Sequence, residues 1–409
     1  MGCSPSGRAI NEAELMIGWT RKTVCPFCFH AFALRAMRFR CLAPTCKGRE
    51  VDPIYADARG TEAVVKGRVL LPGKVGLSGV PYVALCDACK AVSHTKLCPY
   101  CHFELPHDVG QVDQRIIAII GGRATGKTHY IASLITRLQN DVGKNFGFTV
   151  RMLGDQTQER WERDFYTPLF VRKTVLQPSR PAQIDPEIKS PLIFRLTFNG
   201  GGYRRVLNLS FFDSAGEDMS SLTTMALQNR YITYADGIIF LLDPLQIPSI
   251  RQQLATSANF PAADLKASPE YIVGRLRDLF EREHRLRVTQ KVKVPIAFTL
   301  SKIDTLFALL EPGSEFRHPG NHNGYLDLDD VRSVHSEILT YLSLWLNPNF
   351  CNIIHSNFGR YNYFGVSSLG EQPDQNNRLS AISPLRVEDP FLWILQQFGL
   401  VRGKKRSSR

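Results

Sequence analysis

Eight cysteines have a spacing that can do chemistry. They fall into four pairs: Cys25-Pro-Phe-Cys28, Cys41 with Cys46, Cys86-Asp-Ala-Cys89 and Cys98-Pro-Tyr-Cys101. A Cys-x-x-Cys turn folds two thiolates onto one cation, and two such turns complete a tetrahedral site. Only Cys3 and Cys351 lie outside this stretch, so the pattern reads as two four-cysteine zinc sites rather than a disulfide framework. Four thiolates leave no coordination position for water, so both sites would be structural. Sequential pairing, 25/28/41/46 and 86/89/98/101, closes the shorter loops and is the expectation. An interleaved pairing of 25/28 with 98/101 stays open. His30 and His102, just past two of the turns, read as solvent-facing polar groups. Arg35, Arg38, Arg40, Lys47 and Arg49 surround the second pair, and either contact phosphates or solvate a protein-docking surface.

The second constellation is Gly121-Gly122-Arg123-Ala124-Thr125-Gly126-Lys127-Thr128, the phosphate-loop pattern G-x-x-x-x-G-K-[ST]. Its glycines let backbone N–H groups point at a β-phosphate. Lys127 brings a positive charge to the β/γ oxygens, and the Thr128 hydroxyl is a ligand for Mg²⁺. His129 follows at the head of an expected helix. About 80 residues on, Asp213-Ser214-Ala215-Gly216-Glu217 offers an Asp to hold Mg²⁺ and a Gly N–H for a γ-phosphate. Ser301-Lys302-Ile303-Asp304 offers a carboxylate for the two donors on the guanine edge, with the Lys302 stem along the base plane. The alternative for that carboxylate is a helix cap. Ser367-Ser368-Leu369 supplies small residues whose backbone can approach the guanine carbonyl.

The elements that must position these residues are short buried strands followed by helices. Arg115–Ile120 leads into the phosphate loop, Tyr203–Phe212 into Asp213, Val294–Leu300 into Ser301, and Tyr363 onward into Ser367. His129–Gln139 continues the first loop as an amphipathic helix. The strands alternate with helices, as in a doubly wound, mostly parallel α/β sheet that binds nucleotide at the strands' C-terminal ends.

The motif order GGRATGKT, DSAG, SKID and SSL resembles Ras-like P-loop GTPases of the translation-factor-related class. More narrowly, GGRATGKTHY at 121–130, SFFDSAGED at 210–218, YADGIIFLLDP at 234–244 and DPFLWIL at 389–395 resemble the double-GTPase family of bacterial GTPase-associated conflict systems. The resemblance covers residues 112–400. It implies a regulatory GTPase in a defence or conflict system, binding GTP and GDP with Mg²⁺ and working with a protein partner or a second GTPase.

Two positions depart from the fast-switching pattern. Glu217 stands where a Gln usually orients the attacking water, and a carboxylate beside a γ-phosphate is electrostatically awkward. Arg123 occupies the third loop position, where it either assists in cis or crowds the water. The Glu217 electrostatics and the favoured outward or crowding reading of Arg123 point to slow hydrolysis without a partner. The first-switch hydroxyl for Mg²⁺ belongs between residues 140 and 190, with Thr167, Thr174 and Ser179 as candidates and the latter two favoured.

Charge narrows the function classes. The chain's 409 residues carry +12, but residues 1–110 hold 14 Lys/Arg against 9 Asp/Glu, and five more cations crowd the last nine residues. A uniformly basic nucleic-acid binder is excluded, and any nucleic-acid contact would run through the cysteine module. No apolar run approaches the ~20 residues of a membrane span and no signal peptide is visible, so a cytoplasmic protein is expected. The start Met-Gly-Cys-Ser-Pro-Ser fits a loose acylation pattern that carries no meaning in a bacterium. Tyr271–Val288 reads as a solvated, charge-laced helix, and Glu311–Asp330 as an insertion loop near the guanine end. The expected divisions are a tail at 1–20, a zinc-ribbon module at 21–110, the nucleotide domain at 111–400 and a basic tail at 401–409.

Overall fold

The computed structural model describes residues 22–59, 62, 64–73, 81–122, 124–177, 191–200, 203–211, 230–254, 268–346 and 348–405. The chain separates into two compact units, Met1–Gln114 and Arg115–Arg409.

In the larger unit, seven strands form one mixed sheet. They are β1 (Asp113–Gly121), β2 (Phe148–Met152), β3 (Leu192–Gly200), β4 (Tyr203–Phe211), β5 (Gly237–Leu242), β6 (Ile296–Leu300) and β7 (Tyr361–Gly365). Their spatial order is β2-β3-β4-β1-β5-β6-β7. Strands β1, β5, β6 and β7 run parallel, while β2, β3 and β4 form an antiparallel edge. All six β5 residues and all five β6 residues are buried, as a strand covered on both faces requires.

Five helices matter below: α1 (Lys127–Arg137), α2 (Pro269–His284), α3 (Leu328–Trp345), α4 (Pro348–Asn357) and α5 (Asp389–Gln397). Side chains alternate across a strand. Accordingly Ile117, Ile119, Ile239, Leu241, Ala297 and Phe364 share one core with Tyr130, Ile131 and Leu134 of α1 and Phe391, Ile394 and Leu395 of α5. On the other parity, Phe240 and Phe298 lie 5.4 Å apart, ring centre to ring centre. Among the described residues no helix is long and apolar enough to cross a membrane.

Two sequence expectations shift here. Helix α2 ends at His284, with Arg285 left-handed (φ 51°), four residues short of Val288. Its Arg277 is buried rather than solvated: it donates to Glu281 (2.7 Å) and to the carbonyls of Arg287, Val288, Gln290 and Asn357 beyond the helix. Residues 311–330 are an anchored segment rather than an open loop. Phe316 and Leu326 are fully buried, and the guanidinium of Arg386 takes the carbonyls of Glu315 (3.1 Å) and His318 (2.6 Å).

Arg386 is the centre of a buried ionic cluster. It grips Asp330 with two parallel bonds of 2.8 Å and Asp389 with one of 2.6 Å, so all five of its N–H groups are engaged. His322 Nε2 lies 3.2 Å from Asp389. Burial alone would raise the Asp389 carboxyl, but its bonds to His322 and Arg386 outweigh that and hold it below the usual range.

The smaller unit has two small cores, one around each cysteine cluster. Cys25, Cys98 and Cys101 pack with Phe32, Leu34, Met37 and Phe103, while Cys41, Cys46 and Cys86 pack with Phe39, Leu70 and Ala84. A three-stranded sheet, Val69–Leu70, Arg38–Arg40 and Thr95–Leu97, joins residues of both.

Candidate functional site

The cysteines form two clusters: Cys25, Cys28, Cys98 and Cys101, and Cys41, Cys46, Cys86 and Cys89. The sequential pairing expected from loop length is therefore wrong, and the arrangement is nested, one cluster inside the loop closed by the other. The cause is the antiparallel pairing of Arg38–Arg40 with Thr95–Leu97, which matches Arg38 to Leu97 and Arg40 to Thr95. Cys41 leaves one end of this ladder and Cys98 the other, so each is handed to a different site. The entropic argument was too weak to decide. Closing the 70-residue separation of Cys28 and Cys98 instead of a short loop costs about 1.5 kcal/mol. A structural zinc supplies about 10–16 kcal/mol.

The sulfur geometry fits a tetrahedral ion. Sγ atoms of neighbouring ligands lie 3.7 Å apart for Cys25–Cys101 and Cys28–Cys98, 3.6 Å for Cys41–Cys89 and 3.8 Å for Cys46–Cys86. The edge of a tetrahedron with 2.3 Å Zn–S bonds is about 3.8 Å. Three turns repeat one device. Phe29 (φ 59°), Lys90 (φ 62°) and His102 (φ 54°) each follow the second cysteine in a left-handed conformation. Each returns its N–H to the carbonyl of the first cysteine at 2.8–3.0 Å. Both clusters could hold structural zinc.

Two basic or polar residues beside these clusters are not where the sequence reading put them. Arg40 is 1% exposed and cannot belong to a phosphate-contacting face. It pairs with the buried Asp52 at 2.7 Å and donates to the carbonyls of Gly67 and His102. His102 is buried against the same carboxylate, Nδ1 to Oδ1 2.8 Å, instead of facing solvent. His30 stacks on Tyr100 at 4.6 Å. Arg35, Lys47 and Arg49 are exposed, and Arg38 is half-buried.

In the larger unit, strand register brings the motif loops to one edge. Gly121 of β1 pairs with Leu241 of β5, Leu241 with Thr299 of β6, and Thr299 with Phe364 of β7. With strands about 4.8 Å apart, the phosphate loop and Ser301–Asp304 leave the sheet roughly 10 Å from each other. A side chain at Gly121 would strike the Leu241 carbonyl at 2.6 Å. Ala124 (φ 59°) and Gly126 (φ 85°) are left-handed, the alternation that turns successive N–H groups into an anion-binding concavity. Gly126 is the N-cap of helix α1 and offers no side-chain cap, and a helix N-terminus of this kind favours an anion. Lys127 is buried and donates to the carbonyls of Gly121 (3.2 Å) and Gly122 (3.1 Å), and Thr125 Oγ1 also donates to Gly122 (3.0 Å). Thr128 is half-buried beside it.

Lys302 is left-handed (φ 51°), and its ammonium pairs with the buried Asp243 at 2.8 Å. Asp243 holds its other oxygen on the Leu245 N–H. Ser301 is buried, its N–H and hydroxyl both on the Leu242 carbonyl. The short helix Ile303–Leu306 has no side-chain cap, so Asp304 does not serve as one. Ser367 is buried and accepts the Gly370 N–H, and the Ser368 carbonyl accepts the Ser133 hydroxyl at 2.6 Å. Leu369 packs against the main core. Sequence reasoning gave Asp243 and Ser133 no role. Asp243 sat at the end of an apolar run, the signal that could have found it.

His129 accepts the Leu176 N–H at Nε2 (3.0 Å). Burial and then the Lys302 charge pull its pKa down to about 4, so the ring is a neutral acceptor. Of the first-switch candidates, Thr167 donates to Glu162 (2.8 Å) and Thr174 to the Pro168 carbonyl (3.0 Å). Arg123, Ser179, Asp213, Gly216 and Glu217 lie outside the described residues.

Comparison with known proteins adds two findings. Residues 115–333 match the family model described as Double-GTPase 2. Over 325 residues, 75% of this chain and 80% of the other, the sequence is 30% identical to a protein of Mycolicibacterium smegmatis named as an ESX-1 scaffolding and assembly protein, SaeC.

Proposed function

Because this chain belongs to the Double-GTPase 2 family, we propose that it is a guanine-nucleotide-binding GTPase whose cysteine module recruits a protein partner. The observation that supports the reading is the shared end of the parallel strands, where the phosphate loop after β1 and Asp304 after β6 emerge on either side of β5. Among the described residues the Asp304 carboxylate has no hydrogen-bond or ion-pair partner, which suits a group reserved for the guanine N–H and amine. Gly121–Thr128 and the His129 backbone hold the phosphates. Ser301, Lys302 and Asp304 read the base, with Ser367, Ser368 and Leu369 lining its carbonyl side.

Magnesium is the family's expected companion, held by Thr128 and Asp213, and its bound role is to neutralise charge between the β- and γ-phosphates. Ser179 is the first-switch hydroxyl in this reading, since those of Thr167 and Thr174 are engaged locally. Glu217 and Arg123 keep hydrolysis slow until a partner or second GTPase acts. Two structural zinc ions complete the cysteine module. The relative's printed role in scaffolding and assembly suits a switch that recruits, and a conflict-system setting is the other context the motifs suggest.

A nucleotide-affinity panel tests this on the full chain. GTP and GDP should bind with Mg²⁺ at least 100-fold more tightly than ATP, and metal analysis should find two zinc ions per chain. Equal GTP and ATP affinities would defeat the base-reading assignment.

A further inference from the structure

The segment Lys173–Leu176 is held on two sides. Along one side it pairs with 377–379: the Leu379 N–H donates to the Lys173 carbonyl (2.8 Å), and the Val175 N–H to that of Asn377 (2.9 Å). This ladder accounts for the backbone up to Val175. The next N–H, that of Leu176, turns to His129 Nε2 at 3.0 Å. The Leu176 side chain is buried in the main core. His129 is the third residue of α1, directly after Lys127 and Thr128. Its ring therefore ties the chain entering the expected first switch to the helix turn that carries the phosphate lysine.

We propose that the His129 side chain is a positioning residue, which fixes the stem of the first switch by accepting the Leu176 N–H. This rests on the guanine-nucleotide reading above. It separates two roles within one residue. The His129 backbone belongs to the phosphate site, whereas the ring holds a neighbouring segment. Losing the ring acceptor therefore harms γ-phosphate chemistry more than it harms binding of a diphosphate, which has no γ-phosphate for a first switch to engage.

The experiment compares wild type, His129→Gln and His129→Leu as full-length protein. Gln keeps an acceptor at similar reach and Leu does not. Three quantities are read: hydrogen exchange of the Leu176 amide without nucleotide, GDP affinity, and single-turnover GTP hydrolysis. In His129→Leu, Leu176 exchange should accelerate, and hydrolysis should fall on the order of 3–10-fold further than GDP affinity, the worth of one hydrogen bond. His129→Gln should restore slow exchange and most of the hydrolysis. The proposal is overturned if Leu176 stays protected in His129→Leu, if Gln fails as badly as Leu, or if hydrolysis and GDP affinity fall in step. Wild-type protein that binds no guanine nucleotide overturns the parent reading and the switch role together. Leu176 exchange in that protein then reports a purely structural bond.

Discussion

Arg386→Met is the most informative single change in the larger unit. The guanidinium is 1% exposed and satisfies five buried acceptor contacts: two on Asp330, one on Asp389 and the carbonyls of Glu315 and His318. Methionine fills similar volume but donates nothing. It takes the cation from two carboxylates whose side chains are 7% and 3% exposed, leaving Asp389 only His322. Breaking a buried pair by removing one partner costs about 3–5 kcal/mol. Domain stabilities run at about 5–15 kcal/mol, so the variant stays folded but close to the edge. For a unit this size about 2 °C is lost per kcal/mol, giving a fall of about 6–10 °C in the midpoint of thermal unfolding at pH 7. The effect has a signed pH dependence. In wild type the Asp389 pKa is depressed, so its contribution is present above the ordinary carboxylate range and lost as pH falls through the folded value. In the variant the same carboxyl is buried without Arg386, and protonation relieves it. The gap between the two proteins should therefore shrink as pH drops from 7 towards 4. A midpoint within 2 °C of wild type, or a gap that ignores pH, would refute the account of Arg386 as the charge that holds residues 311–330 to α5.

Three further outcomes follow from the sites. Cys25→Ser/Cys98→Ser removes two ligands from one cluster and should lose one of two zinc ions, whereas Cys25→Ser/Cys41→Ser damages both clusters and should lose both, read by metal analysis after gel filtration. Asp304→Asn should weaken GTP binding on the order of 100-fold, from two lost charge-assisted bonds, and gain affinity for xanthosine triphosphate, whose ring carbonyl can accept from the Asn amide. Arg40→Met removes the guanidinium from Asp52, leaving it His102 and the Tyr55 N–H, and should cost about 3 kcal/mol in the cysteine module, while the exposed Lys47→Ala stays within about 0.5 kcal/mol, both measured by denaturant unfolding.

The parts of the fold that were legible in the sequence are those set by local chemistry. The phosphate loop announces itself because Gly121 lies too close to the Leu241 carbonyl for a side chain and Gly126 takes a left-handed turn (φ 85°) that favours glycine. The buried run of β6 reads as a strand because it is short and apolar but for Thr299. Cysteine spacing revealed two sites but not their partners, since pairing depends on which strand lies beside Arg38–Arg40, a long-range fact. The same limit hid Arg40. In sequence it is one of five cations near a cysteine pair, and only the fold shows it buried on Asp52 while Lys47 and Arg49 stay in water. The role of Glu311–Asp330 was missed for a related reason. Its Pro, Gly and Asn content describes backbone irregularity, which says nothing about the anchoring cation 56 residues on from Asp330.

One helix connects these separate features. Along the length of α1, Lys127 faces the phosphate loop, His129 takes the switch stem, Tyr130 donates to the Val387 carbonyl (2.9 Å), Ser133 to that of Ser368, and Arg137 pairs with Glu388 at 2.8 Å. Val387 and Glu388 lie between Arg386 and Asp389, the two residues at the centre of the buried cluster. The helix is held at its N-terminal end by the Gly121 and Gly122 carbonyls and along its flank by the segments that carry Leu176, Ser368, Val387 and Glu388. Packed elements shift as rigid units because interiors do not deform continuously. A displacement of α1 by less than one turn would therefore alter the Ser368 and Leu176 contacts together. Under the proposed function, α1, rather than any one loop, is the element in contact both with the phosphate-loop carbonyls and with the residues that flank Arg386 and Asp389.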